Sequence, residues 1–377
     1  MNKITRFSSH IFIAAAASTL LSQPARAADP LLEDAVDFSG QIFYLSAGVP
    51  GIVIGAIRNG ETHVAGFGET ASGGTPDGDT IFRIGSITKA FAGEMLAHAV
   101  AGKEVGLTDP LADHLEGSLQ EAAAQHPDIR LVELATHSAG LPREAIEDWG
   151  PAEDPFSTVT LAAFETYLEN QPLLFAPGSA ITYSNVGFDL LAQALSNSGG
   201  ASYAELIQDR ILGPLDMGST GFAPVQRDNM FIGHAPDGSA MDVVPTGDVI
   251  LGSGGLYSSA NDLLKWLSWH LDDQQSSEVR FIDHGVYVQR EGKHTVLSMD
   301  ESGHMDAMSL GWVAMYPNAD HPFVLQKSGA LQGQMSYVAF APERGTGVVI
   351  TMNQYAFESA YLMADVANGL LADISGF

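Results

Sequence analysis

Hydrophobic and polar positions change their period along the chain. Residues 51–57 and 63–67 are β-rich runs separated by Asn59-Gly60, a dipeptide that favours a two-residue hairpin turn. Residues 70–79 are rich in Gly, Pro and Asp and read as a loop. A short β-like run follows at 80–84. From Ser86 to about Gly218 the pattern is mostly helical. Helices are predicted over 90–100, 131–136, 161–170, 187–196 and 203–211, with breaks at Gly102, Pro110, Gly140-Leu141-Pro142 and Ala176-Pro177-Gly178. Leu251 to Gly255 reads as a tight turn, with Ser259 as the N-cap of the next helix and Asp262 completing an approximate capping box. No G-K-[ST] follows this glycine cluster, which argues against a phosphate cradle. Residues 274–308 are polar and carry no assignable period.

Near the C-terminus the period returns to two, with strands predicted over 323–327, 334–340 and 347–352. Met363, Val366, Leu370 and Ile374 then form one apolar stripe at helical spacing. β elements thus lie at both ends and helices in the middle. The expected fold is α+β: an antiparallel sheet flanked by helices, built from both chain ends, with an inserted, mostly helical domain. The sheet-bearing part would span 28–85 and 305–377, and the helical part 86–304.

Residues 1–27 read as a secretory signal rather than a fold element. Lys3 and Arg6 precede an apolar run over 11–21, and Ala25-Arg26-Ala27 is a small-x-small cleavage site. The mature chain would begin at Ala28 and work in the periplasm, with no transmembrane segment after signal removal. There is no cysteine, hence no disulfide. The formal net charge is −28, and residues 1–27 hold three basic and no acidic residues, which leaves −31 for the rest. That balance argues against nucleic acid and anionic membrane surfaces as partners. It also makes the six lysines informative, since each cationic spot stands against that field.

Two of those lysines fall in chemically suggestive places. Ser86-Ile87-Thr88-Lys89 lies between the β-like run at 80–84 and a helix, so Lys89 would stand one turn from Ser86 on the same face. A serine hydroxyl needs a neighbouring base to act as a nucleophile. Lysine serves only when neutral, and bringing its pKa from ~10.4 to near neutrality takes ~4 kcal/mol of differential stabilisation. Burial and a second cation supply that. Tyr183-Ser184-Asn185 follows the Pro177-Gly178 loop and precedes a helix; it offers a phenol to carry a proton and an amide to a substrate amide. Lys327-Ser328-Gly329 ends a predicted β run, where a cation and a hydroxyl beside glycine can clamp a carboxylate. Singly, each has a bland reading as a helix start, a surface tyrosine or an exposed edge lysine.

In combination and in this order, S-x-x-K, Y-x-N and K-S-G resemble the penicillin-recognising serine enzymes, whose class A members carry S-x-x-K, S-D-N and K-T-G. The Y-x-N variant is similar to the class C β-lactamases and their penicillin-binding-protein relatives. Leu134 to Pro142, Tyr183 to Leu191, Gly213 to Met217, Gly252 to Ser258 and Leu325 to Gly329 extend the likeness. Within that branch the chain most resembles the AmpH-type D-alanyl-D-alanine carboxypeptidase/endopeptidases.

The resemblance implies a periplasmic serine DD-peptidase acting on peptidoglycan stem peptides and binding β-lactams, without metal or cofactor. Ser86 would be acylated, Lys89 would accept its proton, and Tyr183 would pass a proton to the leaving amine. Asn185 would orient the substrate amide. Lys327 would act electrostatically on Lys89 and Tyr183 and, with Ser328, hold the substrate carboxylate. Gly329 lets the backbone approach closely, and the N–H groups of Ser86 and Ala330 would form the oxyanion hole. Ser328 stands where threonine is commoner, which keeps the hydroxyl.

A class C-like β-lactamase would use the same residues, and a related serine esterase is a third reading, although such relatives often lack the lysine of K-S-G. A binding or sensing protein would be expected to have lost one of these groups. His137 is read as a turn histidine fixed by hydrogen bonds rather than a base. No H-E-x-x-H or close His/Asp cluster is visible, which argues against a zinc peptidase, and the absence of G-x-S-x-G argues against an α/β-hydrolase.

Overall fold

A computed structural model of the chain describes residues 29–224, 228–274 and 277–377. The expected signal sequence at 1–27 lies outside the described residues. The strands are β1 Gly51–Arg58, β2 Glu61–Gly68, β3 Phe82–Arg83, β4 Ile181–Thr182, β5 Tyr257–Ser258 and β6 Val288–Gln289. They continue with β7 Val296–Leu297, β8 Ala307–Met308, β9 Val313–Met315, β10 Val324–Leu331, β11 Gln334–Ala341 and β12 Thr346–Met352. The helices are α1 Pro30–Ala47, α2 Thr88–Ala101, α3 Gly117–Ala123, α4 Leu131–Ala135 and α5 Leu161–Asn170. α6 Asn185–Gly199, α7 Tyr203–Ile207, α8 Ala260–Leu271, α9 Glu278–His284 and α10 Phe357–Ser375 complete the list.

One eight-stranded antiparallel sheet runs in the order β2-β1-β12-β11-β10-β9-β8-β6. The N-terminal hairpin is therefore joined to the C-terminal strands through β1 and β12. Asn59 (φ 52°) and Gly60 (φ 81°) make the left-handed turn between β1 and β2, the conformation the Asn-Gly pair favours. The strands of the sheet centre are buried on both faces. Ile52, Ile54, Tyr337, Val348 and Ile350 pack with Val36, Phe43, Leu370 and Ile374 of α1 and α10. Val53, Ile57, Val338, Phe340 and Val349 pack into the larger helical core on the other side. The two-residue side-chain period thus feeds two cores from each strand. The fold is α+β, as expected.

The 28–85/305–377 and 86–304 division stays a proposal, since α8 packs on β1 and β12 and β6 joins the sheet from within the second range.

Several details differ from the sequence expectation. α1 was not foreseen, because Leu31, Phe38, Ile42 and Leu45 on its outer side are exposed and blur the apolar stripe. Its ends were nonetheless encoded: Asp29 caps it, Pro30 starts it and left-handed Gly48 stops it. The helix at 203–211 is α only to Ile207 and continues as a π turn over Gln208–Leu212. The unassigned stretch 274–308 contains α9 and short strands β6, β7 and β8. Ser259 caps α8 by accepting from Asp262 N at 3.3 Å, but the Asp262 carboxylate turns away to Ser219 N and Thr220 Oγ1, so only half of a capping box forms.

Candidate active site

α2 is the helix around which the site is built. Its residues from Thr88 to Ala97 are all buried, and Gly93 and Gly311 admit close backbone contact between this helix and the Leu310-Gly311 segment. The helix does not begin at Ser86. Gly85–Ile87 forms a 3₁₀ turn and α2 starts at Thr88. Ser86 consequently sits half-buried on the turn while Lys89 is carried inside, fully buried.

Lys89 Nζ lies 3.2 Å from Ser86 Oγ, 2.7 Å from Asn185 Oδ1 and 2.6 Å from the Ser253 carbonyl. A neutral amine can spend its two hydrogens on the two fixed acceptors, Asn185 and Ser253, which leaves its lone pair toward Ser86. Glu144 Oε1 accepts from Asn185 Nδ2 at 2.5 Å and so fixes the amide with its oxygen toward Lys89. Burial lowers the Lys89 pKa to about 7; Asp189 opposes this, Arg143 adds to it, and Glu144 opposes it. Burial conversely raises the carboxyl of Asp189 to about 8, and Lys89 opposes that rise. Asp189 accepts from Ser253 N and Ser253 Oγ, each at 2.9 Å, and thereby orients the carbonyl that holds Lys89.

Tyr183 Oη donates to Ser86 Oγ at 2.5 Å. Three basic side chains lie around its ring: Arg143 Cζ at 4.7 Å, Lys89 Nζ at 4.9 Å and Lys327 Nζ at 5.2 Å. His137 stacks on the same ring at 4.5 Å. Its backbone is left-handed (φ 58°), and its Nδ1 accepts from Ser184 N at 3.0 Å. Burial, then Lys89, Lys327 and Arg143, hold its pKa well below the ordinary value, so the imidazole is neutral.

Lys327-Ser328-Gly329 does not end β10. Pairing with β11 continues to Leu331, whereas pairing with β9 stops at Gln326. The motif therefore begins where the strand loses its second neighbour, and that free edge faces the Ser86 turn. The approach is very close: a Cβ on Gly329 would lie 1.9 Å from Ile84 O and 2.9 Å from Ser86 N, and one on Gly85 would lie 2.7 Å from Ala330 N. Glycine at both crossing points brings the Ser86 and Ala330 amides side by side. Lys327 is buried behind Tyr183, with Nζ 3.2 Å from the Ser328 carbonyl. Ser328, Gly329, Ala330, Arg143, Tyr183 and Ser86 line an open cleft of about 290 Å³, closed on the far side by Phe357 and Tyr361 of α10.

Every residue singled out in the sequence is therefore gathered here. Asn185, however, uses both amide atoms on protein partners. Arg143, Glu144, Asp189 and Ser253 were not foreseen. Asp189 had a signal, since it lies four residues after Asn185 on the same face of α6. Ser253 was read only as part of a turn, and Arg143-Glu144 simply follow the Gly140-Leu141-Pro142 break.

The match to known proteins follows the geometry. The beta-lactamase family model matches residues 25–371. This chain belongs to the beta-lactamase family. It is 33% identical over 364 residues to the D-alanyl-D-alanine-carboxypeptidase/endopeptidase AmpH of Escherichia coli (strain K12), covering 93% of this chain and 92% of that protein. It is 25% identical over 340 residues to a beta-lactamase of the same strain, covering 81% and 84%. A crystal structure of a beta-lactamase/D-alanine carboxypeptidase from Yersinia pestis, complexed with citrate, superposes with a TM-score of 0.81 at 32% identity over 92% of this chain and 99% of that one.

The histidines need one correction. No close His/Asp cluster was visible in the sequence, yet the fold brings His270, Asp283 and His284 together, because the end of α8 packs against the end of α9.

Proposed function

We propose that this protein is a serine DD-peptidase with carboxypeptidase and endopeptidase activity on peptidoglycan stem peptides, acylated at Ser86. The observation that carries the reading is the position of Ser86 Oγ, 3.2 Å from Lys89 Nζ and 2.5 Å from Tyr183 Oη at the floor of an open cleft. The likeness to AmpH along nearly the whole chain supports the substrate class.

In this reading Ser86 Oγ attacks the carbonyl of the scissile amide and its proton passes to the Lys89 amine, whose lone pair faces it. The developing oxyanion is met by the amides of Ser86 and Ala330. Tyr183 delivers a proton to the leaving amine and recovers one from Lys89, which holds the proton taken from Ser86. Water then attacks the ester by the reverse path. Ser328 and Arg143, which line the cleft, hold the substrate carboxylate, with Lys327 supplying positive potential from behind Tyr183. Asn185 orients the substrate amide if it exchanges one of its internal hydrogen bonds for it, and otherwise serves to hold Lys89.

A β-lactamase is the second reading, favoured by the 25% identical relative of that name. Acylation is common to both. After peptide cleavage the amine diffuses away and water enters where it stood; a β-lactam's nitrogen stays tethered and obstructs that approach. Nothing in the three motifs supplies a further base to activate water around the tether. Purified protein given a D-Ala-D-Ala pentapeptide, a cross-linked muropeptide dimer and nitrocefin should show higher kcat/KM on the peptides. Nitrocefin turnover far above both peptides would reverse the assignment. Fluorescent penicillin should label the wild type and not Ser86→Ala; equal labelling would remove Ser86 from the mechanism.

Export to the periplasm is part of the same proposal. No helix among the described residues is long and apolar enough to cross a membrane. Intact-mass analysis of the exported protein should give a chain starting at Ala28.

A further inference from the structure

A second polar cluster lies behind α2, away from the cleft. His270 Nδ1 and His284 Nε2 are 2.9 Å apart, and Asp283 Oδ2 is 3.7 Å from the first and 3.8 Å from the second. A point equidistant from these three atoms lies ~2.0 Å from each, the length of a zinc–imidazole or zinc–carboxylate bond. His270 and Asp283 are fully buried, while the His284 side chain is 18% exposed and opens the cluster to solvent.

The surroundings are built in the way a metal site's supports are. Trp312 Nε1 donates to Asp283 Oδ2 at 3.0 Å and fixes that carboxylate. The far nitrogen of His270, Nε2, faces Glu94 Oε2 at 3.8 Å, and Trp266 Nε1 holds Glu94 at 2.6 Å. Glu94 thus places a carboxylate on the side of the outer nitrogen, at a distance longer than a hydrogen bond. Two atoms of this buried group, Asp283 Oδ1 and His270 Nε2, have no hydrogen-bond partner among the described residues. Glu94 and Asp283 have only histidines as ion-pair partners among those residues. A cation bound here would supply the charge that a buried, ionised carboxylate demands.

We infer that His270, Asp283 and His284 bind one divalent transition-metal ion of the zinc type, as a structural clamp between α8 and α9. The ion replaces the His270–His284 hydrogen bond with two metal–nitrogen bonds, and Asp283 supplies one or both oxygens. Imidazole with carboxylate is the donor set that zinc shares with its neighbours in the first transition row. α9 packs on α2, which carries Lys89 in its first turn and follows directly on the Ser86 turn, so the ion steadies the floor of the cleft without touching substrate.

The test uses the whole chain, stripped with chelator and titrated with Zn²⁺ alone. One tight equivalent should appear by calorimetry and native mass spectrometry, with a raised Tm. The equivalent should be lost, or weakened at least ~10-fold, in His284→Ala and Asp283→Asn. It should persist in His304→Ala, which removes a competing surface histidine beside Asp300 and Asp306. X-ray absorption of the wild type should show two imidazoles at zinc, a reading that does not depend on the variants folding. Absence of a tight equivalent, its retention in His284→Ala, or a zinc shell without imidazole pairs overturns the inference.

Discussion

Gly329→Ala is the sharpest perturbation the structure offers. Its Cβ would stand 1.9 Å from Ile84 O, 2.9 Å from Ser86 N and 3.0 Å from Ile84 C. Those three atoms are all backbone, so no side chain can swing aside. Restoring an ordinary contact of about 3.4 Å to the carbonyl oxygen requires a separation of ~1.5 Å between β10 and the Ser86 turn. Such overpacking typically costs ~1–3 kcal/mol of stability, which a chain with two extensive cores can absorb. The catalytic penalty is larger in proportion, because a misplacement of ~1 Å is worth ~10²-fold in rate. The two amides proposed to receive the oxyanion lie on opposite sides of the gap being opened. The expected result is a fall of at least ~10²-fold in kcat/KM on a D-Ala-D-Ala peptide and in the rate of penicillin acylation, with a modest drop in Tm. Gly369→Ala is the control, since a Cβ there meets nothing within 4 Å. A Gly329→Ala protein with native Tm and native acylation rate would refute the argument that this glycine sets the approach of strand to nucleophile.

The remaining predictions follow from charge and capping. Lys89 must be neutral to accept a proton, so kcat/KM on a neutral ester should rise with pH through about 7, its buried pKa. Arg143 lowers that pKa; Arg143→Gln should therefore raise it and move the acid limb to higher pH, with more activity lost at pH below the limb than above it. A limb that stays put would show that Arg143 acts only on substrate. Lys327→Ala should impair acylation by carboxylate-bearing substrates more than by neutral esters, and a uniform loss measured by stopped flow would assign Lys327 to Lys89 and Tyr183 alone. Ser259→Ala removes the cap of α8 and should cost about 1 kcal/mol in denaturant unfolding, leaving kcat/KM unchanged.

What the sequence determined by itself was whatever is local or repeats along the chain. The Asn59-Gly60 hairpin, the alternating strands 334–340 and 347–352 and the helix at 161–170 depend on turn chemistry and period, and these act between near neighbours. The three site motifs were legible because each sits in a short segment whose own conformation presents it: Ser86 on a turn before α2, Asn185 opening α6, Lys327 on a strand. The joining of both chain ends in one sheet was also readable, as the simplest assembly of β-rich ends around a helical middle.

Tertiary structure alone decided the rest. That Lys89 is titratable near neutrality comes from its complete burial and from Arg143, 54 residues away in the chain, which together outweigh the opposing charge of Asp189, 100 residues away. Ser253 acts through its backbone carbonyl, which carries no sequence identity at all. The K-S-G motif read as the end of a β run, whereas β10 continues to Leu331 because β11 pairs with it that far, a fact about pairing that the segment alone does not carry. His270 and Asp283-His284 read as scattered polar residues until α8 and α9 packed together. Local pattern fixes which way a side chain can point, but desolvation and partner distance exist only once distant segments close around it.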